Sequence, residues 1–306
     1  MAKVFKEHNN RKIANQYAEY VTGEAFRQYV AGKVKQYVGD NPSVFDGAVG
    51  SGQLEWLVEP SHVYGVEIQS ASCEVFKENY GDKAHVYNQS FFDFEGDVLA
   101  DCVIMNPPFS LMFKDLSDHE KAVIQSEFPW KKSGKIDDIF VLKSLKHSKR
   151  YGFYILFPGV GYRGTERKFR ELIGNQLAEL NLVQNGFEDT SIDVLFIVID
   201  KEKTGKTCQR EIYDCKSGRQ LLVDNWEIDT DNWEQPRIEV EKEVIDIDFV
   251  NQELDRIVLD RLKNHLEAQL LVIRNFGADI DYLGFISKAY DILANYEVQY
   301  NSGGKL

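Results

Sequence analysis

Two consecutive prolines, Pro107 and Pro108, close the apolar run Val103-Ile104-Met105, and this junction constrains the fold more than any other stretch of the chain. A short apolar run ended by a proline break reads as a buried strand, here beginning at Asp101. Prolines cannot donate to a sheet ladder, so the chain must leave the strand in a stiff turn. That turn holds the Asn106 amide and the Phe109 ring at a strand's carboxyl end. In open α/β sheets this is where ligands bind.

The preceding hundred residues supply a sheet to which the strand can belong. Ser43-Val44-Phe45 reads as a strand that runs into Asp46-Gly47-Ala48-Val49-Gly50-Ser51-Gly52 and then into a helix. Gly47, Gly50 and Gly52 allow a tight bend and a close approach of backbone to ligand. No Lys-Ser/Thr pair follows Gly52, which excludes the phosphate loop of nucleotide triphosphatases. Val63-Tyr64-Gly65-Val66-Glu67-Ile68 reads as a second strand ending in an acid. Glu67 follows the first glycine by ~20 residues, where nucleotide-binding α/β units place a carboxylate on ribose hydroxyls. A third strand spans 84–88. Strand, glycine loop, helix, strand with acid, helix, strand and the Asn-Pro-Pro-Phe strand together predict an α/β fold with a doubly wound, mostly parallel sheet.

Asn106-Pro107-Pro108-Phe109 resembles the Asn-Pro-Pro-aromatic motif of amino-group methyltransferases that use S-adenosylmethionine, best known in DNA adenine-N6 methyltransferases. The resemblance implies a Rossmann-like methyltransferase fold in which the Asn106 side-chain oxygen and the Pro107 carbonyl accept the two hydrogens of an exocyclic amine. Phe109 would then stack on a base flipped from the duplex. The spacing from Asp46 to Gly52 is similar to the family's loop for the methionine half of the cofactor. With Glu67 and Ile68 on the ribose and adenine side, that loop makes Asp46, Gly47, Ala48, Gly50 and Gly52 expected cofactor contacts.

Other stretches extend the likeness over residues 15–201. Tyr20-Val21-Thr22-Gly23 resembles the Tyr-Thr-Pro-like turn of type I modification subunits, with Gly in place of Pro, and makes Tyr20 and Thr22 cofactor contacts. The family's acid after the third strand is replaced by Ser90, with Asp93 three residues later and Phe91 or Phe92 as a flank for the cofactor's adenine. Pro158-Gly159-Val160-Gly161-Tyr162-Arg163-Gly164 is similar to a Pro-x-Gly-x-x-Arg-Gly segment of type I modification subunits. Arg163, Arg167, Lys168 and Arg170 also form the densest basic cluster in the chain, suited to DNA phosphates. The first three are expected substrate contacts. Phe187, in the loop between strands at 180–183 and 194–200, matches an aromatic that stacks on the flipped base.

Between these parts, residues 114–136 read as a polar loop over the substrate, its lysines at 131, 132 and 135 suited to phosphate. A helix follows, capped by Asp137 or Asp138. Residues 1–205 are expected to form the methyltransferase domain. Residues 206–306 are expected to carry a small β excursion and two helices, the first amphipathic over 251–275.

Charge bears on partners. The net charge is −13, but residues 223–306 hold 18 acidic and 8 basic residues, a net of −10, which leaves −3 for the rest. The tail is therefore no phosphate clamp, and the catalytic part can carry basic patches. An acidic helical appendage suits docking to a specificity subunit or to a second copy of the chain. No stretch is apolar enough to span a membrane, and the amino terminus lacks a signal peptide's apolar centre. Four scattered cysteines, without Cys-x-x-Cys spacing for a metal, fit a cytoplasmic protein with reduced thiols. Two other classes share the features read so far. RNA-base and glutamine-amide methyltransferases use the same Asn-Pro-Pro-aromatic turn, and a non-catalytic binding module could keep the fold alone.

Overall fold

The structure, a computed structural model, describes residues 22–109, 111–187, 190, 192–238, 246–277, 279 and 281–301. The chain divides into two compact units, Met1–Glu239 and Val240–Leu306.

The first unit is built on a nine-stranded sheet in the order β3-β2-β1-β4-β5-β7-β6-β8-β9. Its strands are β1 (Ser43–Asp46), β2 (His62–Glu67), β3 (Ala84–Asn88), β4 (Ala100–Met105), β5 (Ser148–Leu156), β6 (Leu177–Gln184), β7 (Val194–Asp200), β8 (Thr207–Asp214) and β9 (Arg219–Glu227). The first five strands pair in parallel, and β7 inserts antiparallel between β5 and β6. This is the expected doubly wound, mostly parallel α/β sheet. The strand order reverses between β1 and β4, so the loops leaving those two strands flank the switch-point crevice.

Side-chain alternation distributes the central strands between two cores. Val44, Cys102, Ile104, Phe153 and Phe196 face one layer, which is covered by α1 (Glu24–Tyr37) through Phe26, Val30 and Val34. Phe45, Val103, Met105, Tyr154 and Ile197 face the other. There they meet α4 (Asp137–Ser144) and α5 (Arg167–Ile173) through Ile139, Phe140, Phe169 and Ile173. α2 (Ser70–Tyr80) packs Phe76 and Tyr80 near the glycine loop.

Several local expectations give way to tertiary constraints. No α-helix follows β1. The turn from Gly50 leads only into a 3-10 turn at Trp56–Val58, because Pro60 and the start of β2 at His62 leave too little chain for a helix and a return. Residues 114–136 are not one loop. α3 (Asp118–Glu127) starts there with a Ser117/Glu120 capping box. α4 has Ile136 as its N-cap and no side-chain cap, because Asp137 and Asp138 are wholly buried inside its first turn.

The β excursion expected after residue 205 pairs with the main sheet. β8 pairs in parallel with β6 and β9 antiparallel with β8, so the β excursion continues the main sheet and covers what would be a free edge. Beyond β9 the chain returns to the core of the sheet. The Trp233 indole is buried against Phe169, with ring centroids 5.4 Å apart, and the Trp233 backbone N–H donates to the Gly161 carbonyl at 2.8 Å. Gln235 reaches the Pro158 carbonyl at 3.2 Å.

The second unit contains α6 (Ile247–Phe276) and α7 (Tyr282–Asn301). The Asp246 carboxylate caps α6 by accepting from the Phe249 N–H at 3.0 Å, and Gly277 at φ +64° ends it. The His265 and Phe285 rings of the two helices stack with centroids 5.7 Å apart. Among the described residues no helix is long and apolar enough to cross a membrane, and all four cysteines are free and buried.

Candidate active site at the carboxyl ends of β1, β2 and β4

The glycine loop is pinned on both sides. The Asp46 carboxylate accepts from the Ala48 N–H at 2.7 Å. Glu67, at the end of β2, accepts from the Gly50 N–H at 2.9 Å and the Gln69 N–H at 2.7 Å. From α2, the Tyr80 hydroxyl donates to the Gly52 carbonyl at 2.6 Å and the Asn79 amide to the Ser51 carbonyl at 3.0 Å. Gly52 has φ +74°, and a Cβ there would lie 2.4 Å from the Tyr80 ring. A Cβ on Gly47 would lie 2.7 Å from the Phe91 ring. Phe91 is thus in the core beneath the loop, stacked on Phe140 at 5.3 Å. Ile68 stands exposed next to Glu67, while Ser90 donates to Glu120 at 3.0 Å.

Beneath this loop lies a residue that the sequence reading missed. Glu55 is fully buried close to Asp46, and neither of its carboxyl oxygens has an N–H or hydroxyl donor among the described residues. Burial raises the proton affinity of both carboxyls, and in Glu55 the closeness of Asp46 adds to it. Two such acids hold one proton between them. An acid flanked by Leu54 and Trp56 was the only signal available in the sequence.

At the end of β4 the Asn106 amide nitrogen donates to the Thr22 hydroxyl at 3.3 Å. Its Oδ1 is buried and has no hydrogen-bond partner among the described residues. Phe109 and Phe187 are both buried. They meet edge to face, with centroids 6.1 Å apart and planes at 80°. Phe187 also forms an isolated antiparallel bridge with Thr22. Thr22, Asn106, Phe109 and Phe187 therefore converge, although they come from the lead-in and the loops after β4 and β6. Pro107 is buried and Pro108 half-buried in the same turn. Tyr20 lies outside the described residues.

The basic cluster separates into two kinds of residue. Arg163 bonds the buried Glu166 at 3.0 Å, faces the buried Asp137 at 3.6 Å and lies over the Phe157 ring. Arg170 is buried and donates to four backbone carbonyls, those of Val160, Arg163, Thr230 and Asp231. Both arginines are committed to internal partners, because the folded chain encloses them in acceptors. Arg167 and Lys168 stay at the surface, paired with Glu171 at 3.2 and 3.1 Å, with Asp231 a further partner of Arg167 at 2.8 Å. They line an open groove of about 330 Å³ together with Trp130, Lys132 and Thr165. The groove unites the two basic stretches of the sequence. Lys131 turns away from solvent instead and bonds both oxygens of buried Asp138 at 2.7 and 2.6 Å.

Residues 5–225 match the model of the N-6 DNA Methylase family. No curated protein sequence matches the chain. Among solved structures, the type I restriction-modification methyltransferase subunit of Streptococcus thermophilus is similar, with 19% identity and a TM-score of 0.53 over 70% of this chain and 53% of that one. A chain from a type I R-M system, solved to explain its complex assembly, gives 14% identity and a TM-score of 0.55 over 87% of this chain and 68% of that one. A protein from Listeria monocytogenes described as a class I S-adenosylmethionine-dependent methyltransferase gives 15% and 0.52 over 63% and 65%. The chain spans about half the length of the first two type I subunits it matches. At these identities the structures speak for the fold, while the family match covers well over half of the chain. The chain belongs to the N-6 DNA methylase family.

Proposed function

We propose that this chain is an S-adenosylmethionine-dependent methyltransferase acting on the N6 amine of adenine in DNA. The observation that carries the reading is the buried Asn106 Oδ1, without a hydrogen-bond partner among the described residues, at the end of β4 where the Phe109 and Phe187 rings meet. A buried acceptor without a donor costs roughly 1–3 kcal/mol, and such atoms are a mark of sites completed by substrate. An amine hydrogen of a flipped base satisfies it.

The residues present fit the cofactor. An acid and an exposed apolar side chain, Glu67 and Ile68, stand at the end of β2, and the loop at 47–52 offers close backbone approach without a phosphate-binding lysine. In this reading Gly47, Ala48, Gly50 and Gly52 hold the methionine end, Asp46 shapes the loop, Glu67 bonds the ribose hydroxyls, Ile68 and Ser90 border the adenine, and Phe91 supports the loop from the core. The bound cofactor supplies an activated methyl group. Asn106 Oδ1 and the Pro107 carbonyl accept the amine's two hydrogens and orient its lone pair toward that group. Phe109 and Phe187 stack on the base. Arg167, Lys168 and Lys132 border the groove that receives backbone phosphates, while Arg163 acts by holding its loop.

The C-terminal helices are the docking surface in this reading, for a specificity subunit or a second copy of the chain. Leu254, Val258 and Leu271 of α6 and Leu283 of α7 are exposed apolar side chains on these helices. Relatives from type I systems are consistent with a subunit partner.

The test is transfer of labelled methyl from S-adenosylmethionine to unmethylated genomic DNA, with total RNA in parallel and N6-methyladenine read by mass spectrometry. Label in DNA as N6-methyladenine, lost in Asn106→Ala with cofactor binding intact, is the expected result. A fully active Asn106→Ala protein, or label confined to RNA, would overturn it.

A further inference from the structure

We propose that Thr22 is a positioning residue that holds the Asn106 amide in its working plane and links that amide to the base-stacking loop. The inference rests on the amine-methylating reading above, and it gives Thr22 a role in place of the cofactor contact that the sequence resemblance implies.

Three contacts carry it. The Asn106 Nδ2 donates to the Thr22 hydroxyl at 3.3 Å, while Oδ1 of the same amide has no partner among the described residues. The terminal torsion of an asparagine side chain is broad, so the amide plane is set by what its ends bond rather than by rotamer preference. Thr22 bonds the nitrogen end, which leaves Oδ1, the end without a partner among the described residues, as the acceptor for the substrate amine. Thr22 is itself fixed by strand-like pairing, because it bridges Phe187 and the adjacent Gly23 N–H donates to the Gly186 carbonyl at 2.9 Å. Phe26, one turn into α1, closes on Phe187 edge to face at 6.1 Å. Thr22, which bonds the Asn106 amide, and Phe187, the ring that stacks on the base, thus share one short two-strand pairing. Displacing either side of the pairing disturbs both.

Thr22→Val keeps the shape and removes the hydroxyl; Thr22→Ser keeps the hydroxyl. In the full chain, single-turnover methyl transfer at saturating cofactor should fall about 10- to 100-fold in Thr22→Val. Cofactor affinity should stay within about twofold, and Thr22→Ser should recover the rate to within about threefold. A Thr22→Val protein with full rate, or one that loses only cofactor affinity, would overturn the inference. A second readout is independent of substrate. In protein labelled with ¹⁵N asparagine, with the Asn106 signal identified from Asn106→Asp, side-chain amide exchange with solvent should be slowed in wild type and Thr22→Ser and should accelerate in Thr22→Val. Unchanged exchange in Thr22→Val refutes the contact. A protected Asn106 amide in a protein that transfers no methyl to DNA would instead leave the positioning role in place and discard the DNA substrate.

Discussion

The Phe109 and Phe187 rings touch edge to face at 6.1 Å although they leave different strands of the sheet, β4 and β6. In the proposed function this aromatic pair, near an Asn106 Oδ1 that has no hydrogen-bond partner among the described residues, receives the flipped base. Stacking of a base on an aromatic side chain contributes about 1–3 kcal/mol. Phe187→Ala should therefore lower kcat/KM for DNA by roughly 5- to 150-fold, with unchanged cofactor affinity. Phe187→Tyr, which keeps the ring, should remain near wild type. Steady-state methylation with varied DNA concentration reads both, and equal kcat/KM in Phe187→Ala and wild type would remove Phe187 from the site.

Arg163 and the Arg167/Lys168 pair should behave differently when removed. Arg163→Ala leaves Glu166 and Asp137 buried without their guanidinium, a loss of about 3 kcal/mol of stability that chemical denaturation would detect. Arg167→Ala with Lys168→Ala should leave stability near wild type, because both side chains are exposed. Its effect should appear in DNA affinity, with the slope of log K against log salt reduced by about 2. A double variant that melts early and keeps its salt slope would place these residues in the framework instead.

Burial raises the proton affinity of Asp46 and Glu55, pushing Asp46 up to about 7. Carboxyls whose folded pKa lies above the unfolded value of about 4 contribute stability that is fully present below about pH 4. That contribution is lost as the pH rises through the folded value. Glu55→Gln keeps a donor for Asp46 and abolishes one of the two titrations. The variant should therefore be more stable than wild type by at least about 1 kcal/mol at pH 8, with the gap narrowing toward pH 5. Thermal melts across this range test it, and a gap independent of pH would mean that the pair does not share a proton.

Helix α1, which delivers Thr22 and Gly23 to the site, is tethered by Lys33. Its ammonium bonds Glu179 of β6 at 2.6 Å and Glu211 of β8 at 3.1 Å, with the Tyr37 hydroxyl donating to Glu179 at 2.7 Å and the Tyr29 hydroxyl to Glu211. Lys33→Met leaves two carboxylates buried among hydroxyls without a cation and should cost about 3–5 kcal/mol in urea unfolding. Lys33→Met with Glu179→Gln and Glu211→Gln should recover much of the loss. A single variant as stable as wild type would show that the carboxylates are relieved by protonation.

What the sequence determined by itself is the part of this molecule in which cause and effect lie within a few residues. Pro107 and Pro108 end β4 because they cannot pair. Glycines at 47, 50 and 52 mark the turn after β1, and Glu67 ends β2 at the spacing of a nucleotide-binding unit; each follows from backbone geometry alone. The tertiary structure decided which charges and rings become partners. Nothing in the composition of the 158–170 segment separates Arg163 and Arg170, enclosed by Glu166, Asp137 and backbone carbonyls, from Arg167 and Lys168, left at the groove. β8 and β9 read as an excursion because a strand's own residues do not say whose free edge it will cover. Glu55 looked like an ordinary acid until the fold buried it against Asp46. The pairing of Thr22 with Asn106 and Phe187 joins segments far apart in the chain. A side chain's chemistry is local, but its surroundings in solvent, charge and hydrogen bonds are set by which distant segments the core brings against it.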